Sequence, residues 1–428
     1  MLGIIKVIFD LVMGLFYFRE EYFLFHNCHT ACGCAKIHLL GGLAMRERRF
    51  LIIAASIGSG HIKAAEAVAD ALKIKYPDAQ IDTEDFTMWR VSWATAFMKA
   101  CYLFMLRFIP NLYELMYRFT GGRSGGLSVQ SLISAFTARD IAALVKKYRP
   151  EAIVCTHPFP AGAASWRKKR HPDEFLYATV ITDYSVHQMW IYPNVDCYFV
   201  AREEMKTDLI AAGLPPEKVY VTGIPVTSKF HQREDRETIA ENLGLSLEQK
   251  TVLLMGGGLG IGGLDAALHA LECVTSPIQI LVVAGKNKEL RQRVEKLAET
   301  SRHAIRVWGY SKRVREFMAV SDFIITKPGA LTISEALAAE LPMILHDPIP
   351  GPETENAVYI ARKGAAIWAN SEEKLMQGVA RLLLSEETLS EMRAAAHEMK
   401  KPYAARDIAE YFSTAFERFS DMKKIHGR

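Results

Sequence analysis

Short apolar runs that alternate with helical stretches constrain this chain more than any other feature. The first run, residues 50–55, is apolar throughout, which is typical of a strand buried on both faces. Helical stretches follow most of the runs, and strands that alternate with helices predict an α/β fold with parallel sheets. Further strands are predicted at 80–82, 152–155, 177–182, 197–200, 219–222, 251–255, 280–284, 305–308, 323–326 and 343–346.

The alternation is interrupted once, and the interruption divides the chain into two wound domains. A break at Gly223-Ile224-Pro225 and a charged stretch beyond it separate the sixth predicted strand from the seventh. The 428 residues, 50% of them hydrophobic, provide enough apolar surface for two cores. The predicted domains are 46–228 and 229–400, with an extension at 1–45 and a terminal helix at 401–428 that packs back on one or both domains.

The first 45 residues allow two interpretations. Residues 1–18 are apolar but include Lys6 and Asp10, so this stretch is too short and too charged for a membrane-spanning helix. It also lacks the small-residue cleavage site of a signal peptide. It fits an amphipathic membrane anchor, and it fits equally an upstream extension to a chain that starts at Met45.

Cysteine usage indicates a reduced, cytoplasmic compartment. Four of the seven cysteines are scattered through apolar or helical sequence. The other three, Cys28, Cys32 and Cys34, stand near two histidines, where a zinc site is conceivable, but the C-x-x-x-C-x-C spacing is not a usual ligand pattern. We expect neither a metal nor another cofactor.

The loop SIGSGH, residues 56–61, follows the first strand and precedes a helix predicted from about residue 63 to 76. Glycines in such a loop, Gly60 among them, let backbone N–H groups approach a ligand closely. His61 would stand at the start of the helix, where an imidazole suits general-base work near neutral pH. The alternative is a tight turn with an exposed histidine.

A second glycine-rich loop, MGGGLGIGG, begins at residue 255. Gly258, Gly260 and Gly263 satisfy G-x-G-x-x-G, which is the dinucleotide-binding fingerprint when an acidic residue ends the next strand. Residues 283–286 read Val-Ala-Gly-Lys, so that acid is missing and NAD is disfavoured. We expect Gly257 and Gly258 to approach a different ligand.

The third loop is the most specific. Residues 325–336, ITKPGALTISEA, pass from a strand into a helix predicted to start near Leu331. Helix N-termini bind phosphate through free N–H groups and the helix dipole. Thr332 falls in the first turn, and Glu335 lies about one turn further on, where it can accept hydrogen bonds from ribose hydroxyls. The alternative is a plain strand-turn-helix with an exposed glutamate.

The fourth loop, HDPIPGPETENA, contains a pair of polar side chains. Glu353 and Asn356 are three residues apart, which places them on one face of a helix. Such a pair can hold sugar hydroxyls, or it can form a helix cap and a solvated face.

In this order the four loops resemble those of lipid glycosyltransferases related to monogalactosyldiacylglycerol synthase, and most closely the bacterial processive diacylglycerol glucosyltransferases. The resemblance spans roughly residues 48–420 and is carried by ITDYSVHQMW, VYVTGIPV, ITKPGALTISEA, PIPGPETENA and GAAIW. It implies a GT-B fold, in which two Rossmann-like domains face a cleft. The N-terminal domain would take the lipid acceptor and the C-terminal domain the UDP-sugar. The peptidoglycan lipid-intermediate transferase is a more distant relative.

The resemblance also implies residue roles. His61 matches the family's base, Glu335 its ribose-binding acid, and Glu353 a sugar-contacting position. His157 and Asp183 resemble positions at strand ends on the acceptor side, and Asp183 joins His61 as a catalytic candidate. The donor-binding candidates are Gly60, Gly257, Gly258, Tyr310, Ser311, Lys327, Gly329, Ala330, Leu331, Thr332, Glu335, Glu353 and Asn356, with Tyr310 and Ser311 placed where main-chain groups meet uracil.

The chemistry implied is a single inverting displacement. His61 would take the proton of a glycerol hydroxyl while the oxygen attacks C1 of the hexose. UDP would leave toward the helix N-terminus at 329–332, whose dipole can replace a cation, and the sequence contains no D-x-D metal motif. Pro352 stands where related enzymes commonly carry glutamine, so the donor sugar stays open between glucose, which is favoured, and galactose.

Residues 97–119 are the membrane candidate. Apolar side chains repeat there at helical spacing, Pro110 interrupts them, and basic residues flank them, which suits docking on an anionic membrane. The alternative is a buried helical hairpin. The basic run 167–170 would either touch headgroups or form a solvated helix end. Candidates on the acceptor and membrane side are His157, Trp89, Phe97, Phe104, Arg107 and Phe108.

The expected partners are UDP-glucose or UDP-galactose, diacylglycerol and the inner face of the cell membrane. A net charge of +4 gives no indication of nucleic-acid binding. Two other classes stay open. One is another UDP-sugar enzyme of the same fold, such as a polyprenyl-lipid transferase or an epimerase. The other is a non-catalytic UDP-sugar sensor, which would tolerate the loss of His61.

Overall fold

The computed structural model describes residues 48–56, 58–88, 109–121, 123–231, 235–258, 260 and 263–425. Its first sheet has six parallel strands in the order β2-β1-β3-β4-β5-β6. The strands are β1 (Arg49–Ala54), β2 (Gln80–Asp85), β3 (Ala152–Cys155), β4 (Leu176–Val180), β5 (Cys197–Val200) and β6 (Val219–Val221). The strands β3, β4 and β5 are buried along their whole length and β1 is buried beyond Arg49, as their continuous apolar runs require.

The second sheet also has six parallel strands, in the order β12-β11-β10-β7-β8-β9. Its strands are β7 (Thr251–Met255), β8 (Gln279–Val283), β9 (Ala304–Trp308), β10 (Phe323–Thr326), β11 (Met343–His346) and β12 (Ala366–Ala369). Numbered within the sheet, this is the order 3-2-1-4-5-6 read from β9, which is the arrangement of a Rossmann fold.

Helices connect the strands and cover the faces of both sheets. Within the described residues they are α1 (Ser59–Lys75), α2 (Pro110–Gly121), α3 (Arg123–Tyr148), α4 (Pro158–Arg170), α5 (Glu203–Ala211), α6 (Arg236–Leu243), α7 (Leu264–Glu272), α8 (Lys288–Ala298), α9 (Val314–Val320), α10 (Ala330–Ala338), α11 (Pro352–Arg362), α12 (Glu372–Leu384), α13 (Glu386–Met399) and α14 (Ala404–Ile425). Short 3₁₀ turns occur at Phe86–Met88, Gln188–Trp190, Pro216–Lys218 and Ser228–His231.

The C-terminal helix α14 returns to the first sheet. Its Phe412 is fully buried and packs edge-on against Phe50 of β1, with ring centroids 5.4 Å apart. Phe419, near its end, lies under the ammonium of Lys168, 4.8 Å from the ring centroid. The last helix of the chain therefore completes the core beneath the first sheet rather than that of the second.

The two parallel sheets confirm the predicted α/β class and its GT-B architecture. Two local predictions are wrong. Helix α1 begins at Ser59 and not near residue 63, so His61 lies inside its first turn. Strand β12 was not predicted, because its run Ala-Ile-Trp-Ala is short and half alanine and becomes a strand by pairing with β11. The domain boundaries at 228 and 400 stay predictions, and the extension at 1–45 lies outside the described residues.

Candidate active site

Both sheets have a switch point, meaning the place in an open parallel sheet where the strand order reverses and ligands bind beyond the carboxyl ends. In the first sheet it lies between β1 and β3, in the second between β7 and β10. The residues beyond β1 and β3 include His61 and His157, while those beyond β7 and β10 include Gly257 and Lys327. The sequence-predicted loops therefore occupy the two positions where this architecture binds ligands.

His61 is held through one ring nitrogen. Its Nδ1 lies 2.9 Å from the carbonyl oxygen of Thr156 and 2.7 Å from Oγ1 of Thr182. A carbonyl only accepts hydrogen bonds, so Nδ1 carries the proton and Nε2 keeps its lone pair. Burial lowers the pKa of His61 to about 4, although the bond to the Thr156 carbonyl acts in the opposite direction. The imidazole is thus neutral at pH 7, with Nε2 in the form that a general base needs.

His157 lies beside the base. Its ring meets that of His61 edge-on with centroids 4.6 Å apart. Its Nδ1 accepts a hydrogen bond from the backbone N–H of Phe159, which makes His157 the N-cap of α4. The proton of a neutral ring is therefore on Nε2. Burial, and the neighbouring His61, hold the pKa of His157 well below its usual value. His157 can support the base sterically but cannot share a positive charge with it.

Asp183 follows β4 on the same side of the cleft. Burial raises its pKa to about 7, the nearby Glu353 carboxylate adds to the rise, and a hydrogen bond with Trp190 opposes it. A carboxyl group with such a pKa can exchange a proton near neutral pH, which is a property of many functional acids. Its catalytic role stays a prediction.

The second sheet brings four of the donor-binding candidates together. Lys327 forms an ion pair with Glu353, and the second oxygen of Glu353 accepts a hydrogen bond from the Ile349 N–H at 2.8 Å. A β-carbon added at Gly257 would lie 3.1 Å from Cε of Lys327. One added at Gly329 would lie 3.7 Å from Oε1 of Glu353. Glycine at 257 therefore keeps room beside the Lys327 cation, while Gly329 lies next to the Glu353 carboxylate, an arrangement that would suit a phosphate and a sugar.

Gly329 also caps helix α10, so the first N–H groups of that helix point out of the same turn. Ala330, Leu331 and Thr332 form its first turn, and Leu331 and Thr332 are only partly buried. The helix dipole places positive potential at this turn. The arrangement suits a diphosphate.

Glu335 lies further along α10. Burial raises its pKa to about 7, and the ammonium of Lys63 acts in the opposite direction. Lys63 itself hydrogen-bonds to Tyr310, beyond β9, and to Glu66 at 2.6 Å. Tyr310 is exposed, and the hydroxyl of the adjacent Ser311 accepts the N–H of Arg313 at 3.1 Å. A cation from the first sheet's α1 therefore stands between two nucleoside-binding candidates of the second sheet.

The loops of the two sheets touch one another. A β-carbon at Gly60 would make ordinary contact, 3.5 Å, with Cβ of Leu331. One at Gly258 would lie 2.7 Å from Oγ of Ser59, which is too close for a side chain. The start of α1, where His61 lies, is thus a direct neighbour of the turn at residues 329–332, the diphosphate-type turn, across the cleft.

Asn356 is buried between the two sheets. It is 0% exposed. Its Nδ2 donates to the carbonyl of Pro328 at 3.1 Å, and its Oδ1 accepts the N–H of Tyr184 at 3.1 Å. Its amide is thus committed to backbone groups of both sheets, and its direct contact with a sugar stays a prediction.

Helix α2 is the described part of the membrane candidate, and Pro110 is its first residue, where proline is favoured. Leu115 and Phe119, one turn apart, are 39% and 48% exposed. On the opposite face Tyr117 approaches the fourth loop, residues 346–357, since a β-carbon at Gly351 would lie 2.6 Å from its ring. The candidates Trp89, Phe97, Phe104, Arg107 and Phe108 lie outside the described residues.

The basic run at 167–170 is largely committed to internal contacts. Arg167 pairs with Glu174 at 2.6 Å, and Lys168 is buried, with its ammonium 2.8 Å from Asp196. Arg170 stacks on Trp166. The run therefore mainly ends α4 and is not a free basic patch.

Several residues beside the site were not predicted: Ser59, Lys63, Thr156, Thr182, Tyr184 and Trp190. Thr182 stands 121 positions from His61, so only the sheet order could bring the two together. In the segments that the structure describes, no group of three or more His, Cys, Asp or Glu side chains is arranged to hold a metal. In the same segments, no helix has the length and apolarity needed to cross a bilayer.

Known proteins match the chain over nearly all of this architecture. The family model described as monogalactosyldiacylglycerol (MGDG) synthase matches residues 61–226, and that of the glycosyltransferase family 28 C-terminal domain matches residues 251–408. The processive diacylglycerol beta-glucosyltransferase of Bacillus cytotoxicus is 31% identical over 366 residues, which are 86% of this chain and 93% of that protein. The chain belongs to this family. The Staphylococcus saprophyticus member is 27% identical over 90% of this chain and 97% of its own length.

Solved structures agree with the family's fold. Acinetobacter baumannii MurG has a TM-score of 0.54 at 17% identity and covers 86% of this chain and 99% of its own. S. aureus MnaA, solved with UDP, has a TM-score of 0.59 at 13% identity and covers 86% and 97%. At such identities the likeness concerns the fold alone. Membership of the family, with its family 28 C-terminal domain, makes the protein a glycosyltransferase.

Proposed function

We propose that the protein transfers a hexose, glucose in preference to galactose, from a UDP-sugar to diacylglycerol with inversion, and that it works on an anionic membrane surface. The relatives at about 30% identity are named processive diacylglycerol beta-glucosyltransferases, which supports the acceptor and the sugar. MnaA, a protein of similar fold, was solved with UDP, which supports UDP as the nucleotide of the donor.

One observation carries the proposal: a histidine with a free Nε2 lies directly across from a diphosphate-type turn. The Nδ1 of His61 is bonded to Thr156 and Thr182, and its helix start touches Leu331 of the opposite turn. An acceptor hydroxyl beside Nε2 would then face a sugar whose diphosphate occupies the turn. Such an arrangement would suit a displacement at C1.

The reaction is one step with balanced proton transfer. The glycerol oxygen forms a bond to C1 while the bond from C1 to the UDP oxygen breaks. His61 Nε2 takes the hydroxyl proton, and UDP leaves with the negative charge of the bonding pair. An alcohol is far less acidic than imidazolium, so the proton moves during the attack.

The electrostatics support this timing. Without ligand the pKa of His61 is about 4, which makes the ring a weak base. A bound diphosphate brings negative charge close to the ring and raises that pKa, because opposite charges favour the protonated form. The leaving UDP thus stabilises the imidazolium as it forms. Lys327 and the α10 N-terminus stabilise the UDP, so we expect turnover without a divalent metal.

Helix α2 provides the membrane contact in this proposal. The exposed Leu115 and Phe119 would enter the interface, and Arg118 between them would remain at headgroup level. Tyr117, on the opposite face of the same helix, lies against Gly351, so the helix that would dock is itself packed beside the loop at 346–357. A peripheral position on the cytoplasmic face of the membrane follows, where both UDP-sugar and diacylglycerol are available.

The donor assignment is tested by incubating the full chain with diacylglycerol in anionic vesicles and either UDP-glucose or UDP-galactose, with a chelator present. We expect a glucolipid at least tenfold faster than a galactolipid, and no loss of rate from the chelator. A faster galactolipid would overturn the sugar. Transfer only to a polyprenyl phosphate would overturn the acceptor.

A further inference from the structure

Three consecutive residues beyond β4 connect the base to the opposite domain. Thr182 Oγ1 lies 2.7 Å from Nδ1 of His61. Two residues later the N–H of Tyr184 donates to Oδ1 of Asn356, on α11 of the second sheet. Asp183, the second catalytic candidate, lies between them. One short segment therefore touches the base at one end and the donor domain at the other.

Asn356 extends this connection to the diphosphate-type turn. Its Nδ2 donates to the carbonyl of Pro328 at 3.1 Å, and Pro328 directly precedes Gly329, the cap of α10. The side chain is completely buried, so water cannot substitute for these bonds. A single carboxamide thus joins the turn to the Tyr184 backbone.

Tyr184 is held at every polar group it has. Its carbonyl accepts Nε of Arg202 at 2.6 Å. Its hydroxyl lies 2.9 Å from Oγ of Ser334, which donates its own proton to the Ala330 carbonyl at 2.8 Å, so the tyrosine O–H is the donor to Ser334. Tyr184 is therefore bound both to Asn356 and to the first turns of α10.

We propose that Asn356 is a positioning residue that couples the diphosphate turn to the base through Tyr184 and Thr182. A nucleotide that fixes the turn fixes Pro328, and the chain of bonds then fixes the Thr182 hydroxyl that orients His61. The expected loss of kcat rests on the proposed function. The expected change at the Tyr184 amide requires only that the protein bind UDP. This role of Asn356 does not require contact with the sugar.

Kinetics provide the first test, with Asn356→Ala, Thr182→Val and the double variant assayed in UDP-glucose and diacylglycerol vesicles. Misplacing a reacting group by about 1 Å costs up to roughly 100-fold in rate, so each single variant should lose at least about tenfold in kcat. The KM for the donor should change much less, because the turn and Lys327 remain. The double variant should be no slower than the slower single variant, since both break one chain of bonds. Thr182→Ser should recover most of the rate.

The matched control is Asn194→Ala. Asn194 also donates its amide to a backbone carbonyl, that of Ser165 at 3.3 Å, but it lies within the first domain away from the cleft. It should lose some stability and keep its kcat. An unchanged kcat in Asn356→Ala, or losses that multiply in the double variant, would overturn the coupling.

Hydrogen exchange provides the second test and needs no acceptor. In wild type, UDP should slow exchange of the Tyr184 amide at least severalfold, because that N–H is bonded to Asn356. In Asn356→Ala the slowing should vanish although calorimetry still detects UDP binding, while Tyr184→Phe, which keeps the amide bond, should retain it. Equal slowing in wild type and Asn356→Ala, or none in wild type, would overturn the coupling even where transfer to diacylglycerol fails.

Discussion

The titratable side chains of the site differ in their pKa values because their surroundings differ. Among the residues that the structure describes, the base His61 is oriented by a carbonyl and a hydroxyl and not by a carboxylate, so its Nδ1 has no carboxylate counter-ion. Asp183 and Glu335 have pKa values of about 7, in both cases chiefly through burial. Both carboxyl groups are therefore partly protonated at neutral pH, and the site carries less negative charge than two ionised carboxylates would give it. This favours entry of a negatively charged nucleotide.

Glu335 should make nucleotide affinity depend on pH. If its carboxylate accepts ribose hydroxyls, the ionised form binds more tightly, and a pKa of about 7 means that ionisation rises across neutral pH. We expect the affinity for UDP to increase severalfold between pH 6 and pH 8, measured by calorimetry. Glu335→Gln should remove that dependence, whereas Glu289→Gln, at an exposed position of α8, should keep it. A pH dependence that survives in Glu335→Gln would contradict this role.

At the scale of secondary-structure elements, two helices present the surfaces on which the proposal depends. Helix α10 presents its N-terminus to the diphosphate-type turn, and α2 presents Leu115 and Phe119 to solvent. Large exposed apolar side chains on one helix face commonly mark a contact surface. Tyr117, on the opposite face of α2, lies against Gly351, where a φ of +93° would strain any side chain.

Phe119→Ser should weaken vesicle binding. Replacing an exposed phenylalanine removes apolar surface that the interface would bury, at about 25 cal/mol per Å². We expect a several-fold lower partition of the protein onto anionic diacylglycerol vesicles in a sedimentation assay, with unchanged UDP affinity. Leu384→Ser, at a residue 87% exposed on α12, is the matched control and should bind vesicles as wild type does. Equal partition of the two variants would exclude α2 as the docking helix.

The sequence predicted the strands, helices and ligand-binding loops, but not the tertiary contacts between them. The buried apolar runs predicted β1, β3 and β7 because such runs have few alternatives, and glycines with a histidine or lysine marked the loops at both switch points. The partners of His61 could not be found, since Thr182 becomes its neighbour only through the order of β1, β3 and β4. The hydrogen bond between Asn356 and the Tyr184 N–H could not be predicted either, because sequence does not reveal which polar side chains the opposite domain covers.

At the scale of the whole molecule, the fold places two switch points against each other. The base belongs to one sheet and the diphosphate-type turn to the other, and hydrogen bonds such as those of Tyr184 with Asn356 and Ser334 keep them adjacent. Helix α14 leaves the second sheet and completes the core of the first through Phe412, so the chain crosses between the domains twice. The reaction proposed here depends on this arrangement, because neither sheet alone holds both a base and a leaving-group site.

The central claim, that His61 is the base of a glucosyl transfer to diacylglycerol, is tested most directly by single-turnover glucolipid formation in wild type, His61→Ala and the exposed control His269→Ala. Loss of a positioned general base typically costs about 100- to 10,000-fold. We predict such a loss in the single-turnover rate constant for His61→Ala, with UDP affinity retained, and wild-type rates for His269→Ala, at an exposed position of α7. Glucolipid formed at the wild-type rate by His61→Ala would contradict the account.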